Sequence, residues 1–345
     1  MKKTLLLTFD YELYLGANSG SLQNCSLLPT NRILDILSRN KCTGVFFVDS
    51  LYLVRLKEEA ARHEKAKADF EIVSAQIQRM VREGHLVYNH LHPHWLDATY
   101  NAETNVWDLT DKSKFAVSNL TPQQQDYVFD STMQLLYAII KPVKADYKIN
   151  GFRAGGLFIQ PFGIFKPQFL KHGITYEFSV QAGAKCSGPN NIYSFNFTNT
   201  PDKHYYLFED DVVQEAANGS FVQFPLRECR VSGWRKIISG LHYRLTSRNK
   251  YYQRYGDGLP SGNQITFDNG NAGGRFSHTE GFSVESMNTF KITYYMTELE
   301  QRNHLHIISH PKLVSDYTLD VLDKFLAQAN RKFEIVTHPA LIAGQ

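Results

Sequence analysis

Short apolar runs alternate with helical patterns in the first part of the chain. Residues 3–9 and 42–48 are apolar runs of strand length, and a segment that begins at Pro29 with apolar residues at helical spacing separates them. Strand, helix and strand in this order predict parallel neighbouring strands, because the helical crossover returns the chain to the same end of the sheet. The sequence therefore predicts an α/β fold.

The same pattern continues beyond residue 50, with one long interruption. We predict strands at 86–88, 148–152, 174–178, 304–309 and 333–337, and helices at 121–140, 164–172, 284–301 and 318–329. For residues 51–83 we predict one long helix or two stacked helices. Residues 182–283 are rich in Gly, Asn, Tyr and Ser and have no such rhythm. With 345 residues, of which 43% are hydrophobic, we expect one large domain over 1–345 with an irregular, partly β insertion at about 182–283.

Residues suited to catalysis follow four of the predicted strands. Asp10 with Glu12 follows the first, and His90 with His94 follows the strand at 86–88. Arg153 and His310 end two later strands. The carboxyl ends of parallel strands meet at one edge of a sheet or one mouth of a barrel, so these side chains should converge. Two histidines and one carboxylate are a familiar ligand set for a catalytic divalent ion.

The histidine cluster has two interpretations. His90, His92 and His94 fall within five residues, and neutral imidazole is the commonest metal ligand. Pro93 argues against a helix interior. In a turn or a first helical turn, His90 and His94 could converge on one ion while His92 points elsewhere. The alternative is a surface loop that happens to contain histidine and proline.

In their order and spacing, these strand ends resemble the motifs of the polysaccharide deacetylase family, the NodB-homology carbohydrate esterases. The matching stretches are Thr8–Glu12, His90–His94, Phe152–Gly156, Tyr176–Ser179 and Ile307–His310. The resemblance covers residues 1–180 and 284–340 and leaves out the insertion. It implies a distorted, incomplete (β/α) barrel.

The resemblance also implies roles for individual residues. Glu12, His90 and His94 would hold a divalent metal, with Zn²⁺ as the expected ion. Tyr11 occupies the position of the family's usual metal-binding aspartate, and Glu12 replaces it as in the Asp-x-Glu subset. Asp10 would be the general base, oriented by Arg153, and His310 the general acid.

These roles imply a metal-dependent hydrolase that removes an N-acetyl group from an acetamido sugar of a polysaccharide or glycan precursor. Hydrolysis of another C–N amide bond, as in the imidase and allantoinase-like branches, is an alternative. A non-catalytic glycan-binding relative is another.

Charge and hydropathy indicate which classes of binding partner the sequence supports. Lys and Arg number 37 against 34 for Asp and Glu, and the basic residues form no runs, so nucleic-acid binding has little support. No apolar segment approaches the roughly 18 residues of a membrane span. The apolar run after Met1 is interrupted by Asp10 and is too short for a signal peptide. We therefore expect a cytoplasmic enzyme that acts on carbohydrate.

Overall fold

One nine-stranded sheet organises the part of the chain that the computed structural model describes, which is residues 2–188, 194–234, 237–238, 240–241, 248–259 and 277–339. The strands are β1 (Lys2–Tyr11), β2 (Gly44–Asp49), β3 (Leu86–Leu91), β4 (Thr99–Asn101), β5 (Val106–Asp108), β6 (Gly151–Ala154), β7 (Tyr176–Glu177), β8 (Lys185–Ser187), β9 (Ser194–Asn196), β10 (Tyr206–Phe208), β11 (Phe221–Gln223), β12 (Glu228–Ser232), β13 (Ser277–Gly281), β14 (His304–Ser309) and β15 (Glu334–Val336). The helices are α1 (Leu28–Arg39), α2 (Ser50–Ala60), α3 (Glu64–Arg82), α4 (Pro122–Ile140), α5 (Lys166–His172), α6 (Ile292–Arg302) and α7 (Asp316–Lys332).

The main sheet runs in the order β10-β11-β7-β6-β3-β2-β1-β14, and β15 also pairs with β1. Every pair except the antiparallel β10–β11 pair is parallel. The path is open, because β10 and β14 are its two ends. This α/β arrangement confirms the predicted fold class, a distorted and incomplete barrel.

The central strands are buried on both faces. Leu5, Leu6 and Leu7 follow one another in β1 and none is exposed to solvent. The six residues of β2 are all buried as well. A parallel strand covered on both faces reads as a continuous apolar run, which is why both strands could be recognised from the sequence.

Helix α4 begins where the sequence predicts. The backbone N–H of Gln124 donates to the Thr121 hydroxyl, and the backbone N–H of Thr121 donates to the Gln124 side chain. This capping box satisfies two amide groups that would otherwise lack a partner at the helix start. Pro122 occupies the first helical position, where its missing N–H has no cost.

The segment 51–83 forms two helices, α2 and α3, the second of the two predicted alternatives. Other predicted boundaries differ from the structure. The strand predicted at 86–88 extends to Leu91, and the helix predicted from residue 284 begins at Ile292. Within the described ranges, we find no helix that combines the length and the hydropathy of a bilayer span.

Strands β10 and β11 lie within the predicted insertion, and both join the main sheet through the parallel pairing of β11 with β7. The other strands described in this segment form two-stranded pairs, β8 with β9 and β12 with β13. Parts of it, including residues 260–276, lie outside the described residues. The single-domain organisation and the bounds of the insertion stay predictions.

Candidate active site

The register of the central strands places three of the predicted residues, Glu12, His90 and Arg153, in one row. Asp49 at the end of β2 is the partner of His90, which in turn is the partner of Arg153. Tyr11 is the partner of Val48, so Glu12 follows at the level of Asp49. Alternate residues of a strand point to the same face. The row therefore collects Glu12, His90 and Arg153 on one side of the carboxyl edge.

Glu12 contacts two histidines of the cluster. Its Oε2 lies 2.6 Å from His92 Nε2 and 3.1 Å from His90 Nε2, and the two Nε2 atoms are 2.9 Å apart. All three side chains are buried. Each offers one ligand atom within 4.8 Å of the others, which makes this group a candidate metal site.

The donor set fits a divalent ion. One carboxylate and two imidazoles are three protein ligands, the number that catalytic zinc sites use while a fourth position stays open. Ligand atoms about 2.0–2.1 Å from a tetrahedral zinc are about 3.3 Å from one another. The observed separations are shorter than that by about 0.2 to 0.7 Å, so the three side chains would have to rotate apart by these amounts to accommodate the ion.

His90 is oriented by the main chain. Its Nδ1 lies 2.8 Å from the carbonyl oxygen of Arg153, which can only accept a hydrogen bond, so Nδ1 carries a proton. This leaves Nε2 directed at Glu12, the arrangement in which a histidine is usually presented to a metal. Burial alone would lower the pKa of His90, but the carboxylates of Asp10 and Glu12 outweigh it and raise the pKa to about 9.

The carboxylate of Glu12 is held ionised. Burial would raise its pKa, but the charge of Lys312, the charge of His92 and hydrogen bonds from both imidazoles hold the pKa well below its usual value. Lys312 Nζ lies 2.8 Å from Oε1, whereas His90 and His92 contact Oε2.

The structure differs from the sequence prediction over which histidine joins His90. Strand β3 continues to Leu91 and His92 is still extended, so His90 and His92 share a face. His94 lies in the 3-10 helix Pro93–Asp97. The expectation that His92 points elsewhere is wrong, because it assumed that the strand ends before His90.

His94 is buried beside this cluster. Its ring is nearly parallel to that of Phe115, with centroids 5.7 Å apart, and neither ring nitrogen has a hydrogen-bond partner among the described residues. Burial and the neighbouring charges of His92 and Lys112 lower its pKa well below the usual value, so the imidazole is neutral. The role of His94 as a metal ligand stays a prediction.

Asp10 and Arg153 form a buried ion pair. Arg153 Nη1 donates to Asp10 Oδ1, Nη2 donates to the Thr8 hydroxyl at 3.0 Å, and Nε donates to the Phe178 carbonyl at 3.1 Å. Burial would raise the pKa of Asp10, but the charges of Arg153, His90 and His310 together hold it below the usual value. Asp10 is therefore ionised at neutral pH, as a general base must be.

His310 faces the same carboxylates from β14. Its Nε2 lies 3.7 Å from Asp10 Oδ2 and 3.7 Å from Glu12 Oε1. Its Nδ1 contacts Glu285 Oε1 at 3.0 Å, and the Ser309 hydroxyl donates to the other oxygen of Glu285 at 2.6 Å. Burial would lower the pKa of His310, but Glu285, Asp10 and Glu12 raise it. A protonated His310 suits a general acid.

Tyr11 takes no part in this cluster. Its hydroxyl donates to Gln76 Oε1 at 2.8 Å in the core.

Gly155 is two residues beyond Arg153 and lies against His92, where an added Cβ would be 2.6 Å from His92 Nδ1. A side chain at position 155 would displace His92, so the glycine permits this close approach.

Three residues of the site are missing from the sequence prediction. The prediction directs His92 away from the ion, and alternation along a longer strand is the signal that identifies it. Lys312 follows His310 at i+2, a weak signal. Glu285 falls in a predicted helix, and nothing in its local sequence distinguishes it.

Comparison with known proteins supports the motif-based resemblance. Residues 1–152 match the family model described as polysaccharide deacetylase, which confirms the predicted resemblance over that part of the chain. No curated protein matches the sequence.

Similar solved structures share little sequence with this chain. A polysaccharide deacetylase from Mycobacterium smegmatis has 15% identity and a TM-score of 0.47, over 99% of this chain and 88% of that one. The catalytic domain of a peptidoglycan N-acetylglucosamine deacetylase from Eubacterium rectale has 11% identity and a TM-score of 0.36, over 97% and 88%. A family 4 acetyl xylan esterase from Clostridium thermocellum, in complex with cobalt, has 17% identity and a TM-score of 0.26, over 52% and 60%.

Proposed function

We propose that this chain, whose residues 1–152 match the polysaccharide deacetylase family, is a metal-dependent hydrolase that removes an N-acetyl group from an acetamido sugar of a polysaccharide or glycan precursor. The observation that carries this function is the meeting of three groups at one edge of the sheet. They are the cluster of Glu12 with two histidines, the Asp10–Arg153 pair and the His310–Glu285 pair.

Residues of this chain supply both the general base and the general acid of the reaction. Asp10 takes a proton from the attacking water, and Arg153 holds it ionised and oriented. His310, held by Glu285, gives a proton to the nitrogen of the departing sugar amine. The products are acetate and a free amine. A divalent ion, with Zn²⁺ as the leading candidate, would make its water more acidic and polarise the acetyl carbonyl.

We expect His92 to contribute more to metal binding than His94. A metal titration of the two alanine variants tests this. His92→Ala should weaken affinity by more than the roughly 10- to 100-fold that loss of an outer partner costs. His94→Ala should weaken it by less than about 10-fold, since His94 lies outside the group of ligand atoms.

Circular dichroism of both variants controls for folding. A larger loss of metal affinity in His94→Ala than in His92→Ala would support the ligand set predicted from the sequence, which is Glu12, His90 and His94. It would also show that metal binding moves His94 toward Glu12 and His90.

An assay of acetate release from N-acetylglucosamine oligomers tests the function itself. Protein stripped of metal and then reloaded should release acetate, and His90→Ala should not. Metal binding with activity on small amides alone would support the other C–N hydrolase. Glycan binding without metal or acetate release would support the non-catalytic relative.

A further inference from the structure

Lys312 is a buried lysine aimed at the metal-site carboxylate. It is 6% exposed, and its Nζ donates to Glu12 Oε1 at 2.8 Å and to the Leu13 carbonyl at 2.6 Å. Lysine is almost never buried without a partner. Neither the motifs nor the proposed chemistry gives this residue a role.

The two oxygens of Glu12 are used differently. Oε2 faces the imidazoles of His90 and His92, while Oε1 faces Lys312. His310 Nε2 also lies near Oε1, at 3.7 Å. Without Lys312, His310 would be the nearest basic side chain left for that oxygen among the ion pairs described for Glu12.

We propose that Lys312 is a positioning residue that holds Glu12 by Oε1, so that Oε2 alone is presented to the metal and His310 is kept free for the substrate. This inference rests on the proposed metal-dependent function. It assigns Lys312 to the site through Glu12 and not through direct contact with substrate.

The length of Glu12 gives the physical reason. Glutamate has one more rotatable bond than the aspartate that the family usually places on the metal, and an unfixed glutamate loses more rotamer freedom when it is ordered. Lys312 can fix it because Lys312 is itself fixed. Its backbone carbonyl accepts the Gly256 N–H at 2.9 Å, and its ammonium lies 5.1 Å from the Tyr14 ring centroid.

A role of Lys312 through its charge and a role through positioning Glu12 predict opposite changes in metal affinity when Lys312 is removed. A lysine that acted only by its charge would repel a divalent cation, so its removal would tighten metal binding. A lysine that positions a ligand should weaken binding when it is removed, and loss of such outer partners costs about 10- to 100-fold in metal affinity. The sign of the change therefore separates the two roles.

A zinc titration of wild type and Lys312→Met tests the inference. We expect affinity to fall by about 10- to 100-fold in the variant. Lys3→Met is the matched control, because Lys3 is a buried lysine at the opposite end of β1 that bonds Glu300 and Asn303 instead of the site. The zinc affinity of Lys3→Met should equal that of wild type.

The same change in a Glu12→Gln background shows whether Lys312 acts through Glu12. There, Lys312→Met should have little further effect, because residues that act as one unit are not additive. Equal losses in both backgrounds would overturn the positioning role. If Lys312→Met does not fold, Lys312→Gln serves the same comparison, with the same expected direction.

The outcomes distinguish failure of the Lys312 inference from failure of the proposed metal-dependent function. Wild type that binds zinc while Lys312→Met binds it equally or more tightly would overturn the inference and leave the proposed function intact. Wild type that binds no divalent metal would overturn the proposed metal-dependent function, and the role of Lys312 would fall with it.

Discussion

Replacing Asp10 with asparagine should lower kcat/KM for acetate release by about 10²- to 10⁴-fold, the range that general acid–base catalysis contributes. The amide has nearly the shape of the carboxylate and can still accept the hydrogen bond from Arg153. It cannot take a proton from water. The loss should therefore appear in turnover, while zinc still binds through Glu12, His90 and His92.

Steady-state assays with zinc-loaded protein measure this effect. Asp35→Asn is a suitable control, because Asp35 is exposed and pairs with Arg79 away from the site. A variant at Asp10 that keeps its fold and zinc and retains kcat/KM within a few-fold would show that Asp10 is not the base.

Replacing Arg153 with methionine should destabilise the fold by about 3–5 kcal/mol, the usual cost of removing one partner from a buried ion pair. Arg153 is fully buried, and its guanidinium also lies 4.1 Å from the centre of the Phe47 ring. Without Arg153, the negative charge of the buried Asp10 carboxylate would lose its main positive partner. Urea unfolding at pH 7 measures the change.

A second substitution and a pH series test the cause. Adding Asp10→Asn to Arg153→Met should recover part of the loss, because it removes the uncompensated charge. The pKa of Asp10 in the folded state lies below its ordinary value of 3.8. Its stabilisation is therefore present at pH 7 and is lost as the pH falls below about 4. An equal loss at all pH values would point to packing and not to charge.

Much of the fold could be predicted because the local pattern and the tertiary structure agree. The β14 strand His304–Ser309 has the predicted bounds, and the cap at Thr121 starts α4 as expected. Parallel strands then bring Asp10, His90, Arg153 and His310 together, since their carboxyl ends share an edge. This convergence needs only the strand ends and not the detailed loop structure.

The features that could not be predicted depend on contacts between distant parts of the chain. Residues 284–291 have a helical pattern, yet α6 begins only at Ile292. Glu285 lies in this stretch and is bonded to Ser309 and His310. Lys312 reaches Glu12 across 300 positions of sequence. Such pairs depend on the tertiary structure, and no local sequence pattern encodes them.

The choice between His92 and His94 depended on one boundary. A strand ending at Tyr88 leaves the histidines in a turn, where i and i+4 can converge. A strand that ends at Leu91 puts His90 and His92 on one face. Boundaries are the least reliable part of a sequence prediction, and here a shift of three residues changed the metal ligand that geometry favours.

The most direct test of the central claim is the yield of acetate and free amine from an N-acetylglucosamine oligomer, measured with protein stripped of metal and again after zinc is restored. We predict equal amounts of acetate and new amine, formed only by the zinc-loaded protein and lost in His90→Ala. Zinc-loaded, folded protein that releases neither product from any acetylated glycan would contradict the deacetylase function.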